Sequence, residues 1–286
     1  MHAADARPIG TRRRGGYARR MASSHDLAAS AAEAIASVTG VARHDIALVL
    51  GSGWGDAAGL LGDEVASVAP GDVPGFKAAA VQGHHSELRS ILTPSGTRVL
   101  VLGARQHFYE SRDPQTVVHG VRTAAAAGCR TIVLTNGCGS TRPEVGPGTP
   151  VLIADHINYT GATPLTGATF IDMTDVYSRR LRGIAREVDP SLVDGVYIQF
   201  SGPQYETPAE VRMAATMGAN LIGMSTALEA IAAREAGLEI LGLSLVTNFA
   251  AGITGGELNH QEVLAAGREA GPRISRLLAD IVGRIA

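Results

Sequence analysis

Short apolar runs that stop at glycine or polar residues recur along the chain, and they constrain its fold more than any other feature. Three of these runs, taken with the polar residues that end them, cover residues 196–206, 221–226 and 243–248. Four earlier runs cover residues 46–50, 98–102, 131–134 and 151–156. A short apolar run bounded by turn residues is typical of a strand buried on both faces of a sheet.

Helices are predicted between these strands, at residues 114–127, 208–217, 227–236 and 261–286. Gly218 and Gly237 follow two of them, where a glycine that ends a helix is expected. Alternation of strands and helices predicts an α/β protein with an α/β/α layered fold. The 286 residues and 45% hydrophobic content suffice for a large core, and no composition break divides residues 25–286, so one domain is expected.

Composition argues against several classes of protein. The formal net charge of -2 is unlike that of a nucleic-acid binder, which shows a basic face. No apolar run reaches the roughly 18 to 20 residues that cross a bilayer, so no membrane partner is expected. Two cysteines, Cys129 and Cys138, are too few for a disulfide framework or a zinc site. The expected location is the cytoplasm.

The N-terminal segment, residues 1–24, differs from the rest of the chain. It is rich in arginine and has no apolar stretch of the kind a secretory signal peptide needs. We expect a disordered tail. Two explanations stay open at this point: Met21 is the natural start, or the basic tail binds a polyanion.

The ends of the predicted strands are where a ligand is expected, because open α/β sheets bind ligands beyond the carboxyl ends of their strands. Ser52 lies between Gly51 and Gly53 directly after the first strand. Its hydroxyl and the neighbouring N–H groups suit an anion, although such a sequence is more often only a tight turn. The spacing matches neither a dinucleotide-binding motif nor a P-loop, so NAD and ATP are not expected as cofactors.

Arg105 and His107 follow the strand at residues 98–102. A guanidinium and an imidazole suit a phosphate group, whereas the alternative is an ion pair of Arg105 with Glu110 and a solvated histidine. Because Ser52, Arg105, His107 and Ser225 all stand at strand ends, one anion could contact all four.

Several motifs in fixed order then match one family. They lie at residues 49–53, 83–84, 103–110, 134–136, 155–158, 202–210, 223–226, 246–248 and 259–260, the longest reading Gly-Ala-Arg-Gln-His-Phe-Tyr-Glu (103–110) and Gly-Pro-Gln-Tyr-Glu-Thr-Pro-Ala-Glu (202–210). From about Leu27 to the C-terminus, the chain resembles the trimeric purine nucleoside phosphorylases that act on 6-oxopurines, and actinobacterial members in particular. The resemblance implies a mixed, partly barrel-like sheet, a homotrimer, and phosphate as co-substrate with no cofactor and no metal.

The resemblance also assigns residues. The phosphate-binding set is Ser52, His84, Arg105, His107, Ser225 and the backbone N–H of Gly137. The nucleoside-binding set is Tyr109 and Met224 at the ribose, His260 at the 5′-hydroxyl, Tyr205 stacked on the purine, Glu206 at N1–H, and Asn248 at N7 and O6. Those expected to act directly in catalysis are Asn248, Glu206, His107 and His260. A neighbouring subunit is expected to add an aromatic side chain, either Tyr159 or Phe170.

Base choice follows from hydrogen bonding. A carboxylate such as Glu206 only accepts hydrogen bonds, so it favours inosine and guanosine, with their 2′-deoxy forms, over adenosine. The alternative activity is that of a methylthioadenosine phosphorylase, in which the resemblance leads us to expect aspartate in place of Asn248. A nucleoside hydrolase and a non-catalytic nucleoside or phosphate sensor are further alternatives.

Several residues depart from the family pattern, among them Gly137 and Cys138, which stand where members usually carry alanines. Cys138 is either a reactive thiol beside the ligand or, as we expect, a small buried side chain.

Overall fold

The computed structural model describes residues 23–77, 87–103, 105–254 and 260–285, without the side chains of residues 260 and 262. The strands are β1 (Ile46–Val49), β2 (Asp63–Val68), β3 (Leu88–Leu92), β4 (Arg98–Leu102), β5 (Thr131–Ser140), β6 (Pro150–Asn158), β7 (Val193–Gln199), β8 (Leu221–Gly223) and β9 (Glu239–Phe249). The helices are α1 (Ser24–Thr39), α2 (Phe108–Ser111), α3 (Pro114–Val117), α4 (His119–Ala126), α5 (Arg179–Val188), α6 (Pro208–Thr216), α7 (Ala227–Glu235) and α8 (His260–Ile285). Two short 3-10 helices cover Gly55–Leu60 and Pro70–Asp72.

The strands form one mixed sheet in the order β2-β3-β4-β1-β5-β8-β7-β6-β9. An additional parallel pairing of β9 with β5 closes the last five strands into a ring. The predicted mixed, partly barrel-like sheet is therefore confirmed. β5 belongs to both parts, because it pairs with β1 in the open part and with β8 and β9 in the ring.

The hydrophobic core lies on both sides of this sheet. Ile46 and Leu48 of β1 pack in a cluster with α5 and α8, whereas Ala47 and Val49 pack in a second cluster with α1, α4 and α7. Successive side chains of a strand point to opposite faces, so a strand with apolar residues at every position requires helices on both sides. The predicted α/β/α layering is confirmed.

Local signals fix several helix ends. Gly218 and Gly237 follow α6 and α7 with φ of 97° and 74°, as predicted, because glycine adopts this left-handed conformation without steric cost. α1 begins at a capping box in which Ser23 and Asp26 bond each other's backbone N–H groups. Ser23 and Ser24, which the prediction places in the N-terminal tail, thus cap and begin a helix, while residues 1–22 of that tail lie outside the described residues.

The structure corrects some predicted elements. The helix predicted at residues 114–127 is two helices, α3 and α4, that meet at Val118. The strand predicted at residues 131–134 continues as β5 to Ser140. β2 and β3 are absent from the prediction. β2, of sequence Asp-Glu-Val-Ala-Ser-Val, is an exposed edge strand with no apolar run. In the described part of the chain, no helix has the length and apolar character needed to cross a membrane.

Candidate active site

One cavity brings together the described residues of the predicted site. It is lined by Ser52, Arg105, His107, Tyr109, Gly137, Tyr205, Glu206, Met224, Ser225 and Asn248. His84 and the side chain of His260 lie outside the described residues. No ligand contact is predicted from the sequence for the remaining lining residues, which are Asn136, Cys138, Gly139, Ile222, Gly223, Thr247, Ala250 and Val263.

A gap along β5 explains why the cavity lies here. β1 pairs with β5 only as far as Leu134, and β8 begins to pair with it at Gly139. Between these points, in the described residues, that edge of β5 has no strand partner. Two carbonyls in this part of β5 accept from side chains, since Arg105 Nη1 donates to Thr135 O (2.6 Å) and Trp54 Nε1 donates to Asn136 O (3.0 Å). Residues 135–137 were predicted to follow the end of a strand. They lie within β5 instead, at an opening in the sheet.

The glycine before Ser52 is required by close packing. A Cβ atom on Gly51 would lie 2.6 Å from Thr135 O and 2.7 Å from Arg105 Nη1. Gly51 N–H donates to Thr135 Oγ1 (2.9 Å). The turn thus joins β1 to β5 and at the same time places Ser52 at the cavity beside Arg105.

Arg105 is buried, with 4% of its surface exposed. Its Nε donates to Glu229 Oε1 (3.1 Å) and its Nη1 to Thr135 O, whereas Nη2 is buried without a hydrogen-bond partner among the described residues. An unpartnered guanidinium N–H in a cavity suits an anion, because a buried donor without a partner costs about 1–3 kcal/mol. The alternative pairing of Arg105 with Glu110 is wrong.

Glu110 holds His107 instead. One oxygen of this carboxylate, Oε1, accepts from His107 N–H (2.7 Å) and lies 3.1 Å from His107 Nδ1. The imidazole ring also stacks on Tyr109, with 4.9 Å between ring centroids and 12° between ring planes. These contacts fix the direction in which the ring faces the cavity.

Ser225 is presented by a strained turn. Its neighbour Thr226 has φ 80° and ψ -48°, and Ala227 N–H donates to Ser225 O (3.0 Å), which together define a γ-turn. A β-branched residue in this region costs about 1–3 kcal/mol and persists only where surrounding contacts hold it. Asn136 Nδ2 donates to Thr226 Oγ1 (2.9 Å), and Thr226 N–H donates to Glu229 Oε2 (2.9 Å).

Three residues of the site were not predicted from the sequence: Asn136, Thr226 and Glu229. Asn136 and Thr226 lie inside matched motifs, but neither residue was given a role. Glu229 stands three residues after Thr226, and a threonine followed at this spacing by glutamate is the signature of a capping box at a helix start. That signal could have found the bond from Glu229 to the Thr226 backbone, though not the bond to Arg105.

The opposite part of the cavity carries Glu206. Its Oε1 is buried and has no hydrogen-bond partner among the described residues. Burial, with a smaller contribution from the charge of Glu210, raises the pKa of Glu206 to about 7, against the lowering effect of a backbone hydrogen bond. Tyr205 beside it is 38% exposed. This end therefore offers an unsatisfied acceptor and an aromatic face.

Asn248 has neighbours for both ends of its amide. Its Oδ1 accepts from Thr247 Oγ1 (2.8 Å) and its Nδ2 donates to Phe249 O (2.9 Å). Each group has a second site, since the oxygen has another lone pair and the nitrogen another N–H. Thr247, which the sequence analysis did not single out, thus orients the amide and leaves it able to accept and donate once more.

Tyr109 and Met224 meet at Gly202. A Cβ atom on Gly202 would lie 2.6 Å from Met224 Sδ and 3.0 Å from Tyr109 Cδ1. Arg112 Nη2 donates to Gly202 O (2.8 Å), which ties α2 to the segment that leads to Tyr205. The two parts of the cavity are therefore joined by a wall of one aromatic ring and one thioether.

Cys138 is a buried side chain, as expected. Burial raises the pKa of its thiol to about 12, so almost no thiolate exists at neutral pH. The alternative of a reactive cysteine loses its chemical basis.

Comparisons with known proteins agree with this geometry. The phosphorylase superfamily matches residues 45–283. A purine nucleoside phosphorylase from Cellulomonas sp. is 61% identical over 262 residues, covering 90% of this chain and 93% of the relative. One from Mycobacterium tuberculosis is 53% identical over 260 residues, covering 91% and 96%. The crystal structure of a Schistosoma mansoni purine nucleoside phosphorylase with inosine has a TM-score of 0.82 at 29% identity, covering 90% of this chain and 95% of that one. The chain belongs to the phosphorylase superfamily and, within it, to the purine nucleoside phosphorylases.

Proposed function

We propose that this enzyme catalyses the reversible phosphorolysis of inosine, guanosine and their 2′-deoxy forms to the free purine and (deoxy)ribose 1-phosphate. One observation carries the proposal. Among the described residues, one cavity holds a buried cationic donor, Arg105 Nη2, and a buried acceptor, Glu206 Oε1, which both lack a hydrogen-bond partner. Phosphate satisfies the first and the N1–H of a 6-oxopurine satisfies the second, with a ribose between them.

The reaction follows from the charges that develop. The C1′–N9 bond breaks with its electron pair going to the purine, which leaves the ribose with oxocarbenium character as in glycoside hydrolysis. A phosphate oxygen then bonds to C1′, and the proton that hydrogen phosphate gives up reaches N7 through solvent. Arg105, His107, Ser225, Ser52 and the N–H of Gly137 hold the phosphate beneath C1′ in this proposal, and no cofactor or metal takes part.

Asn248 stabilises the departing base. Its second N–H bonds O6 and its second lone pair accepts from N7–H, so both contacts strengthen as negative charge and the proton arrive on the purine. Thr247 keeps the amide oxygen in place for this role. No covalent intermediate with the protein is needed.

The proposed function is tested by hypoxanthine release from inosine with and without phosphate, run beside adenosine. Release only with phosphate, and at least about 100-fold slower release of adenine, is expected because unprotonated N1 of adenine faces an acceptor. Release without phosphate would identify a hydrolase. Binding of inosine without release of base would identify a sensor.

The raised pKa of Glu206 predicts a pH dependence of base choice. Since the free enzyme needs the carboxylate, kcat/KM for inosine is expected to fall about tenfold per pH unit below about 7 and to level off above about 8. Adenosine should respond in the opposite direction, because protonated Glu206 can donate to N1 of adenine.

The same raised pKa affects the stability of the fold. Protonated Glu206 contributes stability that is fully present below the pKa of the unfolded chain and is lost as pH rises through about 7.

Steady-state kinetics with both nucleosides from pH 5.5 to 9 measure the pH dependence of base choice. Parallel profiles for inosine and adenosine would contradict the role of Glu206 in reading the base.

We also propose a homotrimer in which Phe170 reaches the site of a neighbouring subunit. Phe170 is 94% exposed. The other candidate, Tyr159, is held within its own subunit, where its ring packs 5.2 Å from that of Phe200 and its hydroxyl donates to Met213 Sδ (3.6 Å). Light scattering should give three times the chain mass, and a monomer independent of concentration would refute the trimer.

A further inference from the structure

Glu229 is a buried carboxylate that the reaction as proposed does not use. It is 3% exposed and stands in the first turn of α7. Burying a carboxylate is costly unless it is paired and hydrogen-bonded. Its two oxygens contact two separate parts of the phosphate end of the cavity.

The first contact fixes Arg105. With Nε bound to Glu229 Oε1 and Nη1 bound to Thr135 O, the planar guanidinium is held in one orientation, and among the described residues Nη2 is the nitrogen left without a partner. A guanidinium is rigid, so two anchored nitrogens determine the direction of the third.

The second contact fixes the γ-turn. Thr226 N–H donates to Glu229 Oε2, which opposes relaxation of the positive φ at Thr226. The turn in turn positions Ser225, whose Oγ lies 3.2 Å from Thr226 Oγ1 and whose N–H donates to Tyr197 Oη (3.3 Å). Arg105 follows β4 and Ser225 follows β8, and Glu229 bonds to Arg105 and to the residue after Ser225.

We infer that Glu229 is a positioning residue for phosphate, which holds Arg105 Nη2 and the Ser225 turn in one fixed arrangement. This inference rests on the proposed function. Positioning by Glu229 should strengthen phosphate binding, whereas its charge alone should weaken binding, because a carboxylate repels a nearby phosphate dianion. The sign of the change on neutralising Glu229 therefore separates positioning from charge.

The test replaces Glu229 with glutamine. The amide oxygen still accepts from Arg105 Nε, but the amide NH2 faces Thr226 N–H as a second donor. KM for inorganic phosphate is expected to rise at least about tenfold. KM for inosine at saturating phosphate should change less than about twofold, because the substitution disturbs the residues proposed to bind phosphate and not those proposed to bind the base. An unchanged or lowered phosphate KM overturns the inference.

Glu235→Gln is the matched control. Glu235 ends the same helix, is largely buried, and pairs with Arg122 Nη2 at 3.0 Å, and it does not line the cavity. This variant should lower the melting temperature and leave both KM values unchanged. A phosphate KM raised equally in both glutamine variants would mean that Glu229 has only a structural role.

A double variant tests whether Glu229 acts through Arg105. If it does, adding Glu229→Gln to Arg105→Gln should raise the phosphate KM less than about threefold, an increment that comes from the Ser225 turn, since effects in one network are not additive. The double variant has no unpaired buried charge at this place, so it also serves if Glu229→Gln fails to fold. A phosphate KM at least about tenfold above that of Arg105→Gln would show that Glu229 does not act through Arg105, and it would overturn that half of the inference.

The wild-type enzyme separates this inference from the proposed function. Loss of phosphate dependence in the wild type would contradict the proposed function itself. Phosphate-dependent wild-type activity with an unaffected Glu229→Gln variant would contradict only the role of Glu229.

Discussion

Replacing Glu206 with alanine is expected to lower kcat/KM for inosine about a thousandfold, which corresponds to about 4 kcal/mol of transition-state binding. The loss is large because the N1–H of the base then loses the carboxylate that accepts from it. Glu206→Gln keeps a neutral acceptor, so its loss should be smaller, about 100-fold. The glutamine variant should also lose the pH dependence near 7, because it has no group that titrates there. Steady-state kinetics at pH 6 and 8 give both quantities.

Glu210→Gln is the control for this pair of variants. Glu210 caps α6 by bonding Thr207 N–H, and glutamine can replace it in a capping box. Its removal should leave kcat/KM at pH 8 within about twofold and lower the pKa seen in the profile, because the Glu210 charge raises the pKa of Glu206. If Glu206→Ala kept more than about a tenth of wild-type kcat/KM, Glu206 would not be the residue that reads N1–H.

Asn248→Asp is expected to raise the ratio of adenosine to inosine activity about 100-fold. A hydrogen bond to a charged group contributes about 1.5 to 3 kcal/mol, which corresponds to a change in kcat/KM of about 10- to 150-fold. A carboxylate only accepts, so it can accept from the 6-amino group of adenine while it repels O6 of hypoxanthine. The measurement is kcat/KM for both nucleosides at pH 8, where Glu206 is ionised.

Asn248→Ala separates a change of preference from simple damage. It removes the donor and the acceptor together, so it should slow both nucleosides and give adenosine no comparable advantage. The phosphate KM should stay near the wild-type value in both variants. An Asn248→Asp enzyme with no gain in the ratio would contradict the assignment of Asn248 to O6 and N7.

Much of this fold could be predicted because the buried strands announce themselves. β4 and β1 are short apolar runs. The glycines after α6 and α7 mark helix ends, because they adopt the positive φ that ends a helix there. The ring was expected only through the family resemblance, because the pairing of β5 with β9 joins segments about a hundred residues apart and leaves no local mark. β2 escaped because an exposed edge strand needs no apolar run.

The site was predicted in its residue types and less well in its contacts. Ser52, Arg105 and Glu206 line one cavity as expected. The partner of Arg105 was not predictable from nearby sequence, because Glu229 lies 124 residues away while Glu110 lies close by. The positive φ of Thr226 was equally unpredictable, because distant contacts impose it and the residue type gives no sign of it.

The double membership of β5 decides which parts of the enzyme can move. Residues 135–138 are paired with β9, and the carbonyls of residues 135 and 136 also accept from Arg105 and Trp54. Displacing this segment would break the pairing in the ring and both side-chain bonds together. We therefore expect a nucleoside to enter and a base to leave at the other end of the cavity, where Tyr205 and Glu206 precede α6 outside any strand. On this expectation, the residues proposed to hold the anion stay in place while purines exchange at the opposite end.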